Sequence, residues 1–115
     1  MAVNLVIWHN PRCSKSRQTL ALLQDHGATP EVRLYLDDAP TTAELSDVLA
    51  KLGMTPSQLL RRREAEFKAL GLKDADDAAI LAAMAAHPRL IERPIVINGD
   101  RAVLGRPPEQ VLELL

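Results

Sequence analysis

The 115-residue sequence has a single cysteine, Cys13, and only three aromatic residues, Trp8, Tyr35 and Phe67. One cysteine excludes an internal disulfide framework and a metal site built from several thiolates, and we expect no metal. With so few aromatics, the core must be built from Leu, Val, Ile and Ala. A free thiol suits a reducing compartment, and we expect the protein in the cytoplasm.

Long apolar runs and an excess of one charge are also missing. No apolar run approaches the ~18 residues that a membrane span needs, and no signal peptide is expected at the N-terminus. The formal net charge is −1, so no overall field attracts nucleic acid or an anionic membrane. We therefore expect neither as a partner, and an anion site must come from local clustering of cations.

Local patterns predict an α/β fold in a single domain spanning 1–115. Residues 3–8 form a β-branched strand, a helix runs from Ser14 to about Asp25, and 32–36 alternate as a second strand. Two strands joined by one helix should be parallel. A capping box at Thr41 and Glu44 then opens a helical insertion at about 41–87.

The insertion should hold three helices. The first ends at Gly53, the second opens at Thr55-Pro56 and runs into the arginines 61–63, and the third spans roughly 76–86. Strands at 95–97 and 102–104 follow, joined by a hairpin turn at Asn98-Gly99, and a C-terminal helix begins at Pro107-Pro108. The order β-α-β, helical insertion, β-β-α predicts a mixed four-stranded sheet.

The first loop places Cys13 at a helix N-terminus, where free N–H groups and the helix dipole favour negative charge. Arg12, Lys15 and Arg17 lie within four residues, and His9 precedes the cysteine by four. Each of these groups favours a thiolate. An unperturbed thiol is only ~3% ionised at pH 7. Stabilising the thiolate raises this fraction, and the thiolate is the nucleophilic form.

Simpler interpretations exist for each of these residues. Cys13 could be a small buried hydrophobe, His9 could close the strand, and the cations could be solvated. The polar neighbours of Cys13 favour the reactive thiolate. Because Ser16 stands where a Cys-x-x-Cys motif has its second cysteine, an oxidised intermediate must be resolved by an external thiol.

Arginines elsewhere could bind an anion, since the guanidinium fork donates to two oxygens in parallel. Arg61, Arg62 and Arg63 point about 100° apart if helical, so at most two could face one site. Arg93 and Arg106 each stand immediately before a proline.

Together these motifs resemble the thioredoxin-fold, glutaredoxin-dependent arsenate reductases over essentially the whole chain. The matching motifs, in order, are His9-Asn10-Pro11-x-Cys13-x-x-Ser16-Arg17, Tyr35-Leu36, Leu59-Leu60-Arg61, Leu70-Gly71-Leu72, His87-Pro88, Arg93-Pro94-Ile95-Val96 and Gly105-Arg106-Pro107. The first and the last two are distinctive.

The resemblance implies a role for each matched residue. Cys13 would be the nucleophile, and His9 would lower its pKa. Substrate would be bound by Arg61, Arg93 and Arg106, together with Ser16 and Arg17, and Pro94 would follow a cis peptide bond.

The implied reaction is the reduction of arsenate to arsenite through a Cys13 adduct. Glutathione, as co-substrate, and glutaredoxin would resolve the adduct, and no cofactor would be needed. Two other functions fit the same sequence. A glutathione-linked thiol oxidoreductase would not act on arsenate, and a thiol-sensing regulator would bind RNA polymerase, although such regulators generally carry a Cys-x-x-Cys switch.

Overall fold

The computed structural model describes residues 5–115 and divides into two compact units. Among the described residues, the first, the sheet unit, comprises 5–35 and Arg93–Leu115, and the second, the helical unit, comprises Leu36–Glu92. Residues 3 and 4 of the predicted first strand lie outside the described residues. The predicted insertion at about 41–87 lies within the helical unit, and its membership of one domain with the sheet stays a prediction.

The sheet unit carries four strands: β1 (Leu5–Trp8), β2 (Glu31–Arg33), β3 (Ile95–Asn98) and β4 (Arg101–Leu104). Their order across the sheet is β2-β1-β3-β4. β1 is parallel to β2 and antiparallel to β3, and β3 is antiparallel to β4. The predicted mixed four-stranded sheet is confirmed.

One apolar cluster holds the sheet unit together. The helix α1 (Ser14–Asp25) and the 3₁₀ helix Pro108–Leu114 pack on one another, and apolar residues of both meet side chains of β1 and β3. Removing such surface from water contributes about 25 cal/mol per Å². The members of the cluster are all nearly inaccessible to solvent: Leu5, Ile7, Leu23, Val96, Val111 and Leu114.

Three details of the sheet unit differ from prediction. β2 ends at Arg33 because its partner β1 ends at Trp8, which is opposite Arg33. The hairpin turn is Gly99-Asp100, because Asn98 pairs with Arg101 as part of β3. The Asn98 side-chain amide donates to the Leu114 carbonyl at 2.7 Å. The C-terminal helix is of the 3₁₀ type.

Aromatic packing closes the end of β1. The Trp8 and Tyr35 rings stack with centroids 6.5 Å apart, and the Arg33 guanidinium lies 5.3 Å from the Trp8 ring centroid. Both aromatic side chains are almost wholly buried. Trp8 therefore forms part of the core directly before the loop that carries Cys13.

The helical unit is built from short helices with local caps. It contains α2 (Thr42–Leu52), α3 (Pro56–Leu59), α4 (Ala65–Ala69) and α5 (Asp77–Ala86), with 3₁₀ turns at Leu72–Asp74 and Pro88–Leu90. The predicted capping box at Thr41 and Glu44 is present, and Thr55 and Gln58 form a second. Across residues 5–115 there is no helix long and apolar enough to cross a membrane.

The prediction that α3 continues into the arginines 61–63 is wrong. The helix ends at Leu59, and Leu60 is extended and forms an antiparallel bridge with Ile91. The Arg61 N–H donates to the Leu90 carbonyl at 2.7 Å, and the Glu92 N–H to that of Leu59 at 2.8 Å. This pairing with a distant segment replaces the hydrogen bonds that a continued helix would form.

Candidate active site

A tight turn carries the chain from β1 into α1. The Cys13 N–H donates to the Asn10 carbonyl at 3.0 Å, and the Asn10 side chain accepts from the Arg12 N–H at 3.0 Å. Asn and Pro suit the first two positions of such a turn, because the Asn side chain mimics a turn carbonyl and Pro pre-sets φ. Cys13 thereby stands immediately before the first helical residue, Ser14.

Cys13 is 9% exposed, and opposing effects act on its thiol. Burial raises the pKa of Cys13. It is lowered by a larger combined amount by the Ser16 N–H, the charge of Arg93, the Lys15 N–H and a hydrogen bond from the Arg93 side chain. The pKa therefore lies below its ordinary value. The Cys13 side chain forms no capping hydrogen bond to α1. The N–H groups of Lys15 and Ser16 nevertheless lower its pKa, because they are free N–H groups at the start of a helix.

The cation beside the sulfur is Arg93, which lies 80 residues from Cys13 along the chain. Its side chain is half-buried. It enters just before β3, whose partner β1 leads to the Cys13 loop. The pairing of β1 with β3 thus brings the Arg93 guanidinium to the Cys13 thiol. The residues next to Cys13 in the sequence do not supply this contact.

Arg106 lies against the same segment, since its Nε donates to the Arg93 carbonyl at 2.8 Å. Next to this contact, the Gly105 N–H donates to the Pro94 carbonyl at 2.9 Å and joins the same two segments. Both Arg93–Pro94 and Arg106–Pro107 peptide bonds are cis, which is the conformation that the resemblance implies at Pro94. Arg93 and Arg106 are therefore neighbours in the sheet unit.

Gly105 is required here by space. A Cβ on Gly105 would lie 2.7 Å from Thr19 Oγ1 and 2.8 Å from Pro94 Cγ, closer than real Cβ contacts. Thr19 is fully buried, and its hydroxyl donates to the Lys15 carbonyl at 2.8 Å. The first turns of α1 can approach the Arg93 and Arg106 segments this closely only because residue 105 has no side chain.

Behind Cys13, Ser16 joins the loop to α1. Its side chain is fully buried, with Oγ 2.7 Å from His9 Nδ1 and accepting the Asn10 N–H at 3.0 Å. Burial and then the charge of Arg17 lower the pKa of His9. The lowered pKa favours the neutral form of the His9 ring, and the groups that lower the pKa of the Cys13 thiol are the two N–H groups and Arg93. The role of His9 in lowering the pKa of Cys13 stays a prediction.

The other predicted site residues fall in different places. Arg12, Lys15 and Arg17 are exposed, and the Arg17 guanidinium donates to the Pro11 carbonyl at 2.8 Å. The Ser16 hydroxyl is committed to His9 and Asn10, so Ser16 would meet a substrate through its N–H group. The substrate-binding roles of Ser16 and Arg17 stay predictions.

Arg61 belongs to the helical unit, where carboxylates surround it. It lies 2.7 Å from Glu64 and 4.0 Å from Glu92, and donates to the Arg89 carbonyl at 3.3 Å. Glu64 also pairs with Arg89 at 3.0 Å. The structure therefore shows Arg61 as part of an ion-pair network, and its role toward an anion stays a prediction.

Sequence reasoning gave no role to three residues that build the site, although Asn10 and Gly105 stand in motifs that carry the family resemblance. Asn10, Thr19 and Gly105 shape the turn and the close approach described above. The Asn-Pro dipeptide is a usable signal for the turn, whereas no local pattern shows that Gly105 meets Thr19. Within residues 5–115 no group of three or more His, Cys, Asp or Glu side chains could hold a metal ion.

The arrangement is suited to nucleophilic attack on an oxyanion. A thiol with a lowered pKa supplies the nucleophile, and the adjacent guanidinium and helical N–H groups can neutralise oxygens bound to the attacked atom. A simple buried cysteine would have neither an arginine beside its sulfur nor this lowered pKa.

Comparison with known proteins gives concordant results. The sequence model of the ArsC family matches residues 8–114. The chain is 47% identical over 116 residues to an arsenate reductase of Haemophilus influenzae, covering 98% of this chain and 100% of that protein. It is 48% identical over 118 residues to the uncharacterized protein YfgD of Escherichia coli K12, covering 100% and 99%.

A solved structure is equally similar. The arsenate reductase from Vibrio cholerae superposes with a TM-score of 0.96 at 48% identity, and the match covers 100% of both chains. This likeness confirms the predicted thioredoxin-like α/β fold.

Proposed function

Because the chain belongs to the ArsC family, we propose that it is an arsenate reductase with Cys13 as its nucleophile. The observation that carries this proposal is the Arg93 guanidinium beside a Cys13 thiol whose pKa is lowered. A thiol-disulfide exchange enzyme needs an ionised cysteine, but an arginine held against it supports an anionic substrate as well.

The proposed first step is attack of the Cys13 thiolate on arsenic. Arsenate is mostly dianionic at neutral pH, and Arg93 and Arg106 neutralise its oxygens, with Arg61 as the third arginine implied by the family resemblance. A sulfur–arsenic bond forms, one arsenic–oxygen bond breaks, and the departing oxygen leaves as water after taking up protons. The N–H groups of Lys15 and Ser16 favour the anionic state of the site.

Two external thiols complete the proposed reaction. Glutathione attacks the arsenic of the adduct and displaces a second oxygen as water. The glutaredoxin thiolate then attacks the glutathione sulfur, and the sulfur–arsenic bond to glutathione breaks with its electron pair left on arsenic, so that glutathione and glutaredoxin leave as a mixed disulfide. The two electrons reduce arsenic from +5 to +3, and hydrolysis of the sulfur–arsenic bond releases arsenite and the Cys13 thiol. An external thiol is needed because Cys13 is the only cysteine in the sequence. Dependence on glutathione suits the cytoplasm, and the residues need no further cofactor.

A coupled assay tests the proposal. Arsenate, glutathione and glutaredoxin are supplied, and NADPH consumption through glutathione reductase is followed. Cys13→Ser should lose activity by about 10³-fold or more, since it removes the nucleophile. Ser14→Ala is the matched control, because Ser14 is exposed in the same turn.

The outcomes separate the candidate functions. Appreciable turnover by Cys13→Ser would refute the nucleophile, and turnover without glutaredoxin would refute the proposed donor. Reduction of a glutathione mixed disulfide with no activity on arsenate would identify the oxidoreductase alternative instead.

A further inference from the structure

The Ser16 hydroxyl occupies a position with a definite hydrogen-bonding pattern. It is fully buried, and its Oγ lies within hydrogen-bonding distance of His9 Nδ1 at 2.7 Å and the Asn10 N–H at 3.0 Å. The backbone N–H can only donate, so one lone pair of Oγ is used as an acceptor. The direction of the contact with His9 is then decided by where the hydroxyl proton goes.

A buried hydroxyl proton needs an acceptor, because leaving it unsatisfied is costly. If His9 carried its proton on Nδ1, Oγ would receive two donors, and its own proton would point at neither of its two described partners. If Nδ1 is unprotonated, it accepts the hydroxyl proton and all three groups are satisfied. The second arrangement leaves the ring proton of His9 on Nε2.

We propose that Ser16 is a positioning residue that donates its hydroxyl proton to His9 Nδ1, fixes the His9 proton on Nε2, and ties the Cys13 loop to α1. The inference deepens the proposed function, on which any catalytic consequence rests. With the proton on Nε2, His9 presents an N–H donor on the side of the ring away from Ser16. Such a donor suits an oxyanion without requiring a charged imidazole.

The same residue acts on Cys13 through its backbone. The Ser16 N–H is one of the groups that stabilise the Cys13 thiolate, so displacement of Ser16 moves a stabilising dipole. The burial that lowers the pKa of His9 agrees with an unprotonated Nδ1, since a protonated ring would bring a second donor to Oγ. The Ser16 hydroxyl thus contacts His9 and Asn10, while the Ser16 N–H acts on the Cys13 sulfur.

The first test is the tautomer of His9 in the unmodified protein, read from side-chain ¹⁵N shifts in long-range ¹H–¹⁵N spectra at pH 7. The proton should be on Nε2. His26 is an internal reference of the opposite kind, because its Nδ1 lies 3.0 Å from the Leu22 carbonyl and must donate. A His9 proton on Nδ1, or on both nitrogens, would overturn the proposal whether or not any variant folds.

The second test compares Ser16→Ala with Ser14→Ala and with Ser16→Thr, which retains a hydroxyl. Ser16→Ala should give a mixture of His9 tautomers and slow iodoacetamide alkylation of Cys13 at pH 7 by about 3- to 10-fold, the effect of one lost hydrogen bond. Ser14→Ala should change neither, and Ser16→Thr should restore the Nε2 tautomer. A single unchanged tautomer in Ser16→Ala would refute the role.

Arsenate is absent from both tests, so they stand or fall separately from the proposed reaction. In the coupled assay Ser16→Ala should lower kcat while KM for arsenate stays near that of the unmodified protein. A raised KM at unchanged kcat would instead assign Ser16 to substrate binding and overturn the positioning role.

Discussion

Carboxylate pairs are prominent among the described arginine contacts of the helical unit, and backbone carbonyls among those of the sheet unit. In the sheet unit, Arg17, Arg101 and Arg106 donate to backbone carbonyls, those of Pro11, Glu113 and Arg93. In the helical unit, Arg61 and Arg89 pair with the carboxylates of Glu64, Glu66 and Glu92. A carbonyl orients a guanidinium by a hydrogen bond, whereas a carboxylate adds an opposite charge, and Arg61 has partners of both kinds.

Both units also contain contacts between residues far apart in the chain. The helical unit combines local capping boxes at Thr41 and Thr55 with the pairing of Leu60 and Ile91. The sheet unit brings Cys13 to Arg93 and Thr19 to Gly105, contacts that only the completed sheet provides. We therefore expect substitutions in the sheet unit to change the pKa and the alkylation rate of Cys13. Comparable substitutions in the helical unit should leave both unchanged.

Among variants that keep Cys13, the largest effect is expected from Arg93→Ala. It removes the charge and hydrogen bond that lower the pKa of Cys13, so the pKa should rise and kcat/KM for arsenate should fall about 10- to 10²-fold. Alkylation of Cys13 against pH and the coupled assay measure the two effects. Arg101→Ala, at the other end of the β3–β4 hairpin, is the control, and an equal loss there would break the comparison.

The lowered pKa of Cys13 also predicts a pH-dependent contribution to stability. Because the folded pKa lies below the unfolded one, the thiolate stabilises the fold fully above the unfolded value of ~8.5 and less as pH falls through the folded pKa. The difference in unfolding free energy between the unmodified protein and Cys13→Ala should therefore grow with rising pH. In an Arg93→Ala background this growth should be smaller.

Gly105→Ala should have the next largest effect. The new Cβ would overlap Thr19 and Pro94, which costs about 1–3 kcal/mol of unfolding free energy in a packed site. Denaturant unfolding measures the loss, and alkylation should slow because α1 and the Arg93 segment are forced apart. Adding Thr19→Ala should recover part of the stability; no recovery would refute the steric explanation.

The smallest effect is expected from Glu64→Gln. It weakens the partly exposed pairs with Arg61 and Arg89, which should cost about 1 kcal/mol or less. Alkylation of Cys13 should stay unchanged. Asp47→Asn, which removes an exposed i, i+4 pair with Lys51, is the control at ~0.5 kcal/mol. A changed Cys13 reactivity in Glu64→Gln would show that the helical unit does influence the thiol.

Local sequence predicted those parts of the fold that local physics determines. The bounds of α1 and the capping box at Thr41 follow from apolar spacing and side chain–backbone hydrogen bonds, and they were predicted correctly. The errors arose where distant segments pair. Leu60 leaves the helical pattern to meet Ile91, and Asn98 joins β3 because Arg101 lies opposite it.

The site divides in the same way. Placement of Cys13 at a helix start could be predicted from the residues around it, and so could the contribution of free N–H groups. The sequence also predicts a role for the nearby cations and for His9, whereas the cation beside the sulfur is Arg93. Only the family resemblance selected Arg93, since no periodicity or spacing connects residue 93 with residue 13.

Trp8 gives every one of these experiments a built-in optical reporter. It is the sole tryptophan, it stacks on Tyr35 under the Arg33 guanidinium, and His9 follows it directly in the chain. All indole fluorescence therefore originates at the strand end that carries the reactive loop. A red shift of its emission would signal loosening of that strand end, and an unshifted spectrum in a slow variant would assign the defect to the thiol itself.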